Sequence, residues 1–116
     1  MRFDAARIGD VTVFTLLESR VTSDNVTAFQ EEVLRRVEEG ERKLVLDFGA
    51  VEFVDSTGIG TVVVVHQKLQ NRGVFAVVGL QHQVRNLFKL TRMDKVVPVY
   101  ESTDEALKAL GASAHP

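Results

Sequence analysis

Two rhythms of hydrophobic and polar positions alternate along this chain. Val11-Thr12-Val13-Phe14-Thr15-Leu16-Leu17 has a period of two and is rich in β-branched residues, which marks a strand. Residues 2–8 before it are weakly patterned, and Gly9-Asp10 is a turn signal, so the two segments are expected to form an antiparallel hairpin. Glu18 to Asp24 is polar and reads as a loop. Asp24 or Asn25 then caps a helix whose apolar positions, Val26, Phe29, Val33 and Val37, draw one stripe that stops at Gly40. Leu44 to Phe48 is a second strong strand, and Val74 to Val78 is a continuous apolar run of the kind found in interior parallel strands. Gln83 to Leu90 places Val84, Leu87 and Phe88 on one side of a short helix, with a flank left over for a partner groove. Val96 to Tyr100 reads as a last strand, which Pro98 confines to a sheet edge. Ser102 or Thr103 caps a helix from Asp104 to Leu110, with Glu105 near the capping-box spacing, and residues 111–116 read as a frayed tail.

One segment carries both rhythms. Four consecutive valines, Val62 to Val65, favour a strand by propensity. The residues that follow, Gln67 to Arg72, continue as a helix tail with Gly73 as its stop. A helix over residues 57–71 is therefore expected, with burial of the valine side overriding a weak propensity cost. The order then becomes strand, strand, helix, and strand–helix three times. Such alternation calls for right-handed crossovers and a mainly parallel sheet. The fold class expected is α/β, in a single domain over residues 1–116 with its core at about 8–110. It comprises a small mixed, mostly parallel sheet with an initial antiparallel hairpin and about four helices.

Composition narrows the function. The chain has 116 residues, enough for one core without covalent staples, and its 45% hydrophobic and 26% charged residues are ordinary for a globular protein. There is no cysteine, hence no disulfide framework, thiolate metal site or thiol nucleophile. Fourteen basic and 16 acidic residues give a formal charge of −2 with no dense basic block, which speaks against nucleic-acid binding. No apolar run approaches the roughly 18 residues that suggest a membrane span. No charged-then-apolar leader pattern stands at the N-terminus, so the cytoplasm is the expected compartment.

Enzymatic readings find little support. His66, His82 and His115 share no metal-ligand spacing, with His66 on a helix face, His82 in a loop and His115 in the tail. Gly58-Ile59-Gly60 lacks both the third glycine of a dinucleotide fingerprint and the Lys-Ser/Thr of a P-loop. Ser56 is not in a nucleophile elbow and no histidine is placed as its base. Asp47 and Asp55 admit a reading as a carboxylate pair for magnesium, although Asp47 is expected to face solvent from its strand. No cofactor is implied. What remains is Val54-Asp55-Ser56-Thr57-Gly58-Ile59-Gly60, set between two apolar runs. A strand that ends there and restarts as a helix places Ser56 and Thr57 at a helix N-terminus, where free N–H groups and the dipole favour an anion. Gly58 and Gly60 leave room for a partner's backbone beside the hydroxyls. This suggests modification of a hydroxyl, not catalysis by it. A plain cap role for Asp55 or Ser56 accounts for the same residues, and the local sequence leaves the two readings open.

Asp55-Ser56-Thr57-Gly58-Ile59-Gly60 after an apolar strand resembles the phosphorylation loop of STAS domains (sulfate transporter and anti-sigma factor antagonist), above all the bacterial anti-sigma factor antagonists. Gly73, the strand 74–78, Val84-Arg85-Asn86-Leu87-Phe88, Leu90-Thr91 and Val96-Val97-Pro98-Val99-Tyr100 extend the resemblance over about residues 8–110. It implies a switch protein that binds an anti-sigma factor, itself an ATP-binding serine kinase, when unphosphorylated, and releases it when phosphorylated. A serine phosphatase resets the cycle. By position the acceptor is Ser56, with Thr57 second. The implied partner surface is Asp55, Ser56, Thr57, Gly58, Ile59 and Gly60 with Thr22; Asp55 orients the loop and the two glycines keep the surface flat. Many relatives carry Gly-Glu/Arg-Leu-Asp where this chain has Ser19-Arg20-Val21-Thr22, so a loop carboxylate beside the switch is missing. The alternative is a STAS adaptor that docks a partner without phosphorylation, in a lipid-transport or stress-signalling complex.

Overall fold

Gly9 turns the chain at φ 62°. Strand β1 (Phe3–Ile8) thereby pairs antiparallel with β2 (Val11–Leu16), from Phe3 opposite Leu16 to Ile8 opposite Val11. In this computed structural model, which describes residues 1–111, all later pairings are parallel. Strand β3 (Arg20–Val21) precedes helix α1 (Val26–Glu38), which crosses to β4 (Lys43–Asp47). Strand β5 (Phe53–Val54) leads directly into α2 (Ser56–Leu69), which returns to β6 (Val74–Val78). Helix α3 (His82–Leu90) and a 3-10 turn at Met93–Lys95 lead to β7 (Val99–Tyr100) and α4 (Thr103–Ala109). Five strands form the main sheet in the order β1-β2-β4-β6-β7, and β3 and β5 form a separate two-stranded ladder.

The period-two pattern sorts the main sheet into two faces. Phe14, Leu16, Leu44, Leu46, Phe75 and Val77 point to the face covered by α1, α2 and α3. There the α1 stripe of Val26, Phe29, Val33 and Val37 is buried as its spacing predicts. Phe3, Phe14 and Phe29 pack together, with the Phe3–Phe29 and Phe14–Phe29 pairs edge-on at 5.2 and 5.8 Å between centroids. Val11, Val13, Val45, Ala76 and Val78 point the other way and form a smaller cluster with Ala106 of α4. The valine run is helical: Val62 and Val65 are buried and Val63 and Val64 are half-buried on α2. Burying one such side chain contributes about 1.5–3 kcal/mol, well above the fraction of a kcal/mol by which valine disfavours a helix. Thr61, also buried, donates its hydroxyl to Gln30 Oε1 at 2.7 Å and so ties α2 to α1.

Four expectations require correction. The last strand is only Val99–Tyr100, paired with Val77 and Val78 at the sheet edge. Val96 and Val97 belong to the preceding turn, their N–H groups both donating to the Met93 carbonyl. Pro98 keeps only its carbonyl for the ladder, and it accepts from Val77 N–H at 3.0 Å. Second, the polar stretch after β2 is no mere loop, since it contains β3. Third, Asn25 stands at the N-cap position of α1 but does not cap it. Its Oδ1 accepts from Thr22 N–H at 3.0 Å and its Nδ2 donates to the Arg20 carbonyl at 2.7 Å, so it braces the preceding turn instead. Fourth, His82 opens α3 rather than lying in a loop. Ser102 caps α4 as expected, accepting from Glu105 N–H at 3.2 Å. The tail beyond Gly111, with His115, lies outside the described residues.

Candidate functional site

The Asp55–Gly60 stretch sits where the β3–β5 ladder meets α2. Arg20 lies opposite Phe53 and Val21 opposite Val54, and both valines are buried. The Ser19 carbonyl accepts from Glu52 and Phe53 N–H at 2.8 and 3.1 Å, and the Val21 carbonyl accepts from Asp55 N–H at 3.1 Å. This seam fixes the entry of the chain into α2.

Asp55 is the N-cap, in extended geometry at φ −92° and ψ −176°. Its Oδ1 accepts from Gly58 N–H at 2.9 Å, and its Oδ2 accepts from Ser23 N–H at 3.1 Å. One carboxylate thus closes the first turn of α2 and clamps it to the loop after β3. The Gly58 N–H, then that of Ser23, hold its carboxyl below the usual aspartate range against the opposing effect of desolvation, with the Thr57 N–H and the Arg20 charge adding less. The orienting role expected of Asp55 has this geometry, and so does the plain cap role. The Gly58 N–H at the start of α2 is consequently occupied by Asp55 rather than open to an incoming anion.

Ser56 and Thr57 are both exposed on the first turn of α2. Among the described residues, neither side-chain hydroxyl is engaged in a hydrogen bond. The two glycines differ. Gly58 is buried, and a Cβ there would lie 2.6 Å from Val54 Cγ1 and 2.8 Å from the Val21 carbonyl oxygen. Its missing side chain lets α2 seat on the ladder. Gly60 has nothing within 4 Å of a built Cβ, so it is the glycine with open space beside it. Ile59 is half-buried against the main core. Thr22 is buried, and its hydroxyl accepts from Asp24 N–H at 3.2 Å while its carbonyl accepts from Asn25 and Val26 N–H. It shapes the turn from beneath.

Three neighbours gave little sign in the sequence. Ser23 contributes only a backbone N–H, which no side-chain pattern reveals. Arg20 places its guanidinium 4.3 Å from the centroid of the Phe53 ring, a cation–π contact made by a ladder too short to show periodicity. Phe53 remains 41% exposed, and beside it a groove of about 310 Å³ runs between β5 and α3, lined by Val84, Leu87 and Leu90 among others. Leu90 is 83% exposed, so the flank of the α3 stripe is an open apolar surface beside β5.

The other candidate chemistry is not brought to this place. Asp47 Oδ1 accepts from Gly49 N–H at 2.8 Å at the end of β4. His66 is half-buried on the last turns of α2, and His82 Nε2 meets Asn86 Nδ2 at 3.3 Å on α3. Among the described residues, no three His, Asp or Glu side chains come together as a metal site. No helix among the described residues is long and apolar enough to cross a membrane.

Comparison with known proteins agrees with this architecture. A Bordetella bronchiseptica protein named as an anti-sigma factor antagonist, BtrV, is 30% identical over 101 residues, covering 86% of this chain and 87% of its own. The crystal structure of a Thermotoga maritima protein named likewise superposes with a TM-score of 0.87 at 25% identity, over 94% of both chains. An anti-sigma factor antagonist from Mycobacterium paratuberculosis also gives 0.87, at 26% identity over 95% of this chain and 93% of its own. Residues 2–106 match the STAS domain family, and the chain belongs to it.

Proposed function

We propose that this chain is an anti-sigma factor antagonist, a binding switch and not an enzyme, controlled by phosphorylation of Ser56, with Thr57 as the second acceptor. The observation that carries the reading is the pair of exposed, unengaged hydroxyls on a first turn that Asp55 caps and Gly58 seats on the ladder. The relatives named as antagonists give the class of partner, an anti-sigma factor. In this reading the partner is also an ATP-binding serine kinase in the cytoplasm, and a serine phosphatase resets the loop. Asp55, Ser56, Thr57, Ile59 and Gly60 form the docking surface, while Gly58 and Thr22 support it from below.

The switch works by charge. A phosphate brings about −1.5 to −2 charges, and on Ser56 it stands beside an Asp55 carboxylate that already holds the Gly58 N–H of α2. Docking then requires desolvating two neighbouring anions against a surface fitted to a hydroxyl. A hundredfold loss of affinity needs only about 2.7 kcal/mol. The same crowding of anions favours a second reading, an adaptor that docks its partner with the loop unmodified. Intact-mass measurement of the protein purified from its own host, with localisation of any added phosphate, separates the two. Phosphate on Ser56 or Thr57 supports the switch; an unmodified loop under every growth condition tried favours the adaptor. For the switch, Ser56→Ala binds the partner constitutively and Ser56→Asp loses binding, both with native circular dichroism. If only Thr57→Glu abolishes binding, the acceptor is Thr57.

A further inference from the structure

Phosphorylation of Ser56 would place a dianion in surroundings that are already acidic. The segments that meet here, residues 19–25 and 49–57, carry three carboxylates, Asp24, Glu52 and Asp55, and a single cation, Arg20. The first turns of α2 contribute no charge before His66. On α3, which packs against β5, Arg85 is paired with Glu101 at 2.9 Å, and Lys89 lines a separate pocket with Asp94 and Glu101. On α1, Arg35 and Arg36 are bound to Glu32, and Arg35 also to Glu39. Of the backbone donors at the start of α2, the Gly58 N–H is already held by the Asp55 carboxylate. Among the side chains of the segments that meet here, the one full counter-charge for a phosphate on Ser56 is Arg20.

Its present contact leaves it free to do so. Among the described residues the Arg20 guanidinium forms no ion pair, and it rests on the Phe53 ring at 4.3 Å. An exposed cation–π contact is weaker than charge-assisted hydrogen bonds from a guanidinium fork to phosphate oxygens. The ladder register sets Arg20 opposite Phe53, three residues before Ser56. Three residues of extended chain span at most about 10 Å, within the combined reach of an arginine and a phosphoserine side chain.

We propose that Arg20 reads the modification: it leaves the face of Phe53, pairs with a phosphate on Ser56, and so uncovers the aromatic ring at the edge of the β5–α3 groove. This rests on Ser56 as the acceptor, and it gives the switch a conformational output beyond the added charge. The modification would rearrange the surface around Phe53 and Leu90 as well as the loop itself.

The test uses the full chain with phosphoserine incorporated at position 56 during synthesis, so that no kinase need be known. Phosphorus NMR then follows the second ionisation of the phosphate with pH. Pairing with Arg20 lowers that pKa relative to the same phosphoprotein carrying Arg20→Gln, by on the order of one unit, and Arg20→Lys restores part of the difference. Phe53→Leu, which removes the competing ring, lowers it further. The Arg20 Nε resonance and the Phe53 ring resonances should shift on phosphorylation. Equal phosphate pKa values with and without Arg20, together with unmoved Arg20 and Phe53 resonances, overturn the proposal. Should Arg20→Gln unfold the phosphoprotein, the resonance shifts in the otherwise unaltered chain still decide. Absence of phosphate on Ser56 in the native host would defeat the proposed switch but leave this measurement intact, so the two failures are distinguishable.

Discussion

The five-stranded sheet and the β3–β5 ladder adjoin each other, but they are held together by different physics. The sheet is fixed by apolar burial on both faces, with Phe14, Leu16, Leu44 and Val77 fully enclosed. The ladder has two residue pairs and turns only Val21 and Val54 inward. Its remaining support is local and polar: the Ser19 and Val21 carbonyls, the Asp55 clamp on Ser23 and Gly58, and the seat for α2 that Gly58 leaves open. Elements with few buried apolar contacts open at lower free energy than the core. The candidate switch is thus built on the part of the fold that a small local change can move, while the sheet beneath keeps its shape.

Breaking the sheet should give the largest effect. Phe14 is fully buried and meets Phe29 edge-on at 5.8 Å. Phe14→Ala should cost about 3–5 kcal/mol, a large part of the roughly 5–15 kcal/mol typical of a whole domain. Urea unfolding should show one transition at a lower midpoint, with sheet and ladder amides losing protection together. A loss below about 1 kcal/mol would mean that the core collapses around the hole.

Gly58→Val attacks the ladder instead. Its Cβ would press on Val54 Cγ1 and on the Val21 carbonyl oxygen, which is backbone and cannot rotate away. Overpacking of this kind costs about 1–3 kcal/mol. Hydrogen exchange should quicken first at Asp55 and Ile59, whose N–H groups bond to the Val21 and Asp55 carbonyls, while β4 amides stay protected. Uniform acceleration across both regions would show that the ladder has no independence from the sheet.

Asp55→Ala should be milder at neutral pH, as for the loss of an N-cap. Its pH dependence sharpens the comparison. Hydrogen bonds hold the folded Asp55 carboxyl below its ordinary range, so its stabilisation is complete above that range and disappears as pH falls through the folded pKa. The stability gap between the native chain and Asp55→Ala should therefore be flat near neutrality and close in acid. A gap unchanged down to strongly acid pH would mean that the carboxylate charge is not what holds the clamp.

The same division explains what the sequence disclosed. Long apolar runs and a stripe at helical spacing announced β2, β4, β6 and α1, because burial imposes those periods over many residues. Even α2 was readable through its valines, from the polar tail and glycine that follow them. The ladder was hidden: two residues cannot display a period, and Arg20 and Phe53 are paired only through contacts between segments distant in the chain. The position of the hydroxyls could be read from Asp55-Ser56-Thr57, as could the clamp's acceptor. Its partner at Ser23 could not, because the donor is backbone. The burial of Thr22 and Gly58 is hidden in the sequence for a related reason. A small residue in a loop looks the same in sequence whether it clears space for a partner or for the protein's own β-strand.

That ambiguity is resolved by the two glycines of one helix, and here the expected effect is the smallest. Gly58 and Gly60 share the first turns of α2, but a side chain at Gly60 would meet nothing within 4 Å. Gly60→Ala should remove backbone freedom from the unfolded chain without strain in the folded one, raising stability by about 0.4–1 kcal/mol. The gain should appear as a higher urea midpoint with an unchanged slope. Gly58→Ala should do the reverse and lower the midpoint. Partner affinity then separates the roles. If the antagonist reading holds, Gly60→Ala weakens docking despite its greater stability, because its new methyl group points into the space left for the partner. If Gly60→Ala is both more stable and fully competent to bind, the docking surface lies off this face of α2, towards Phe53 and the β5–α3 groove.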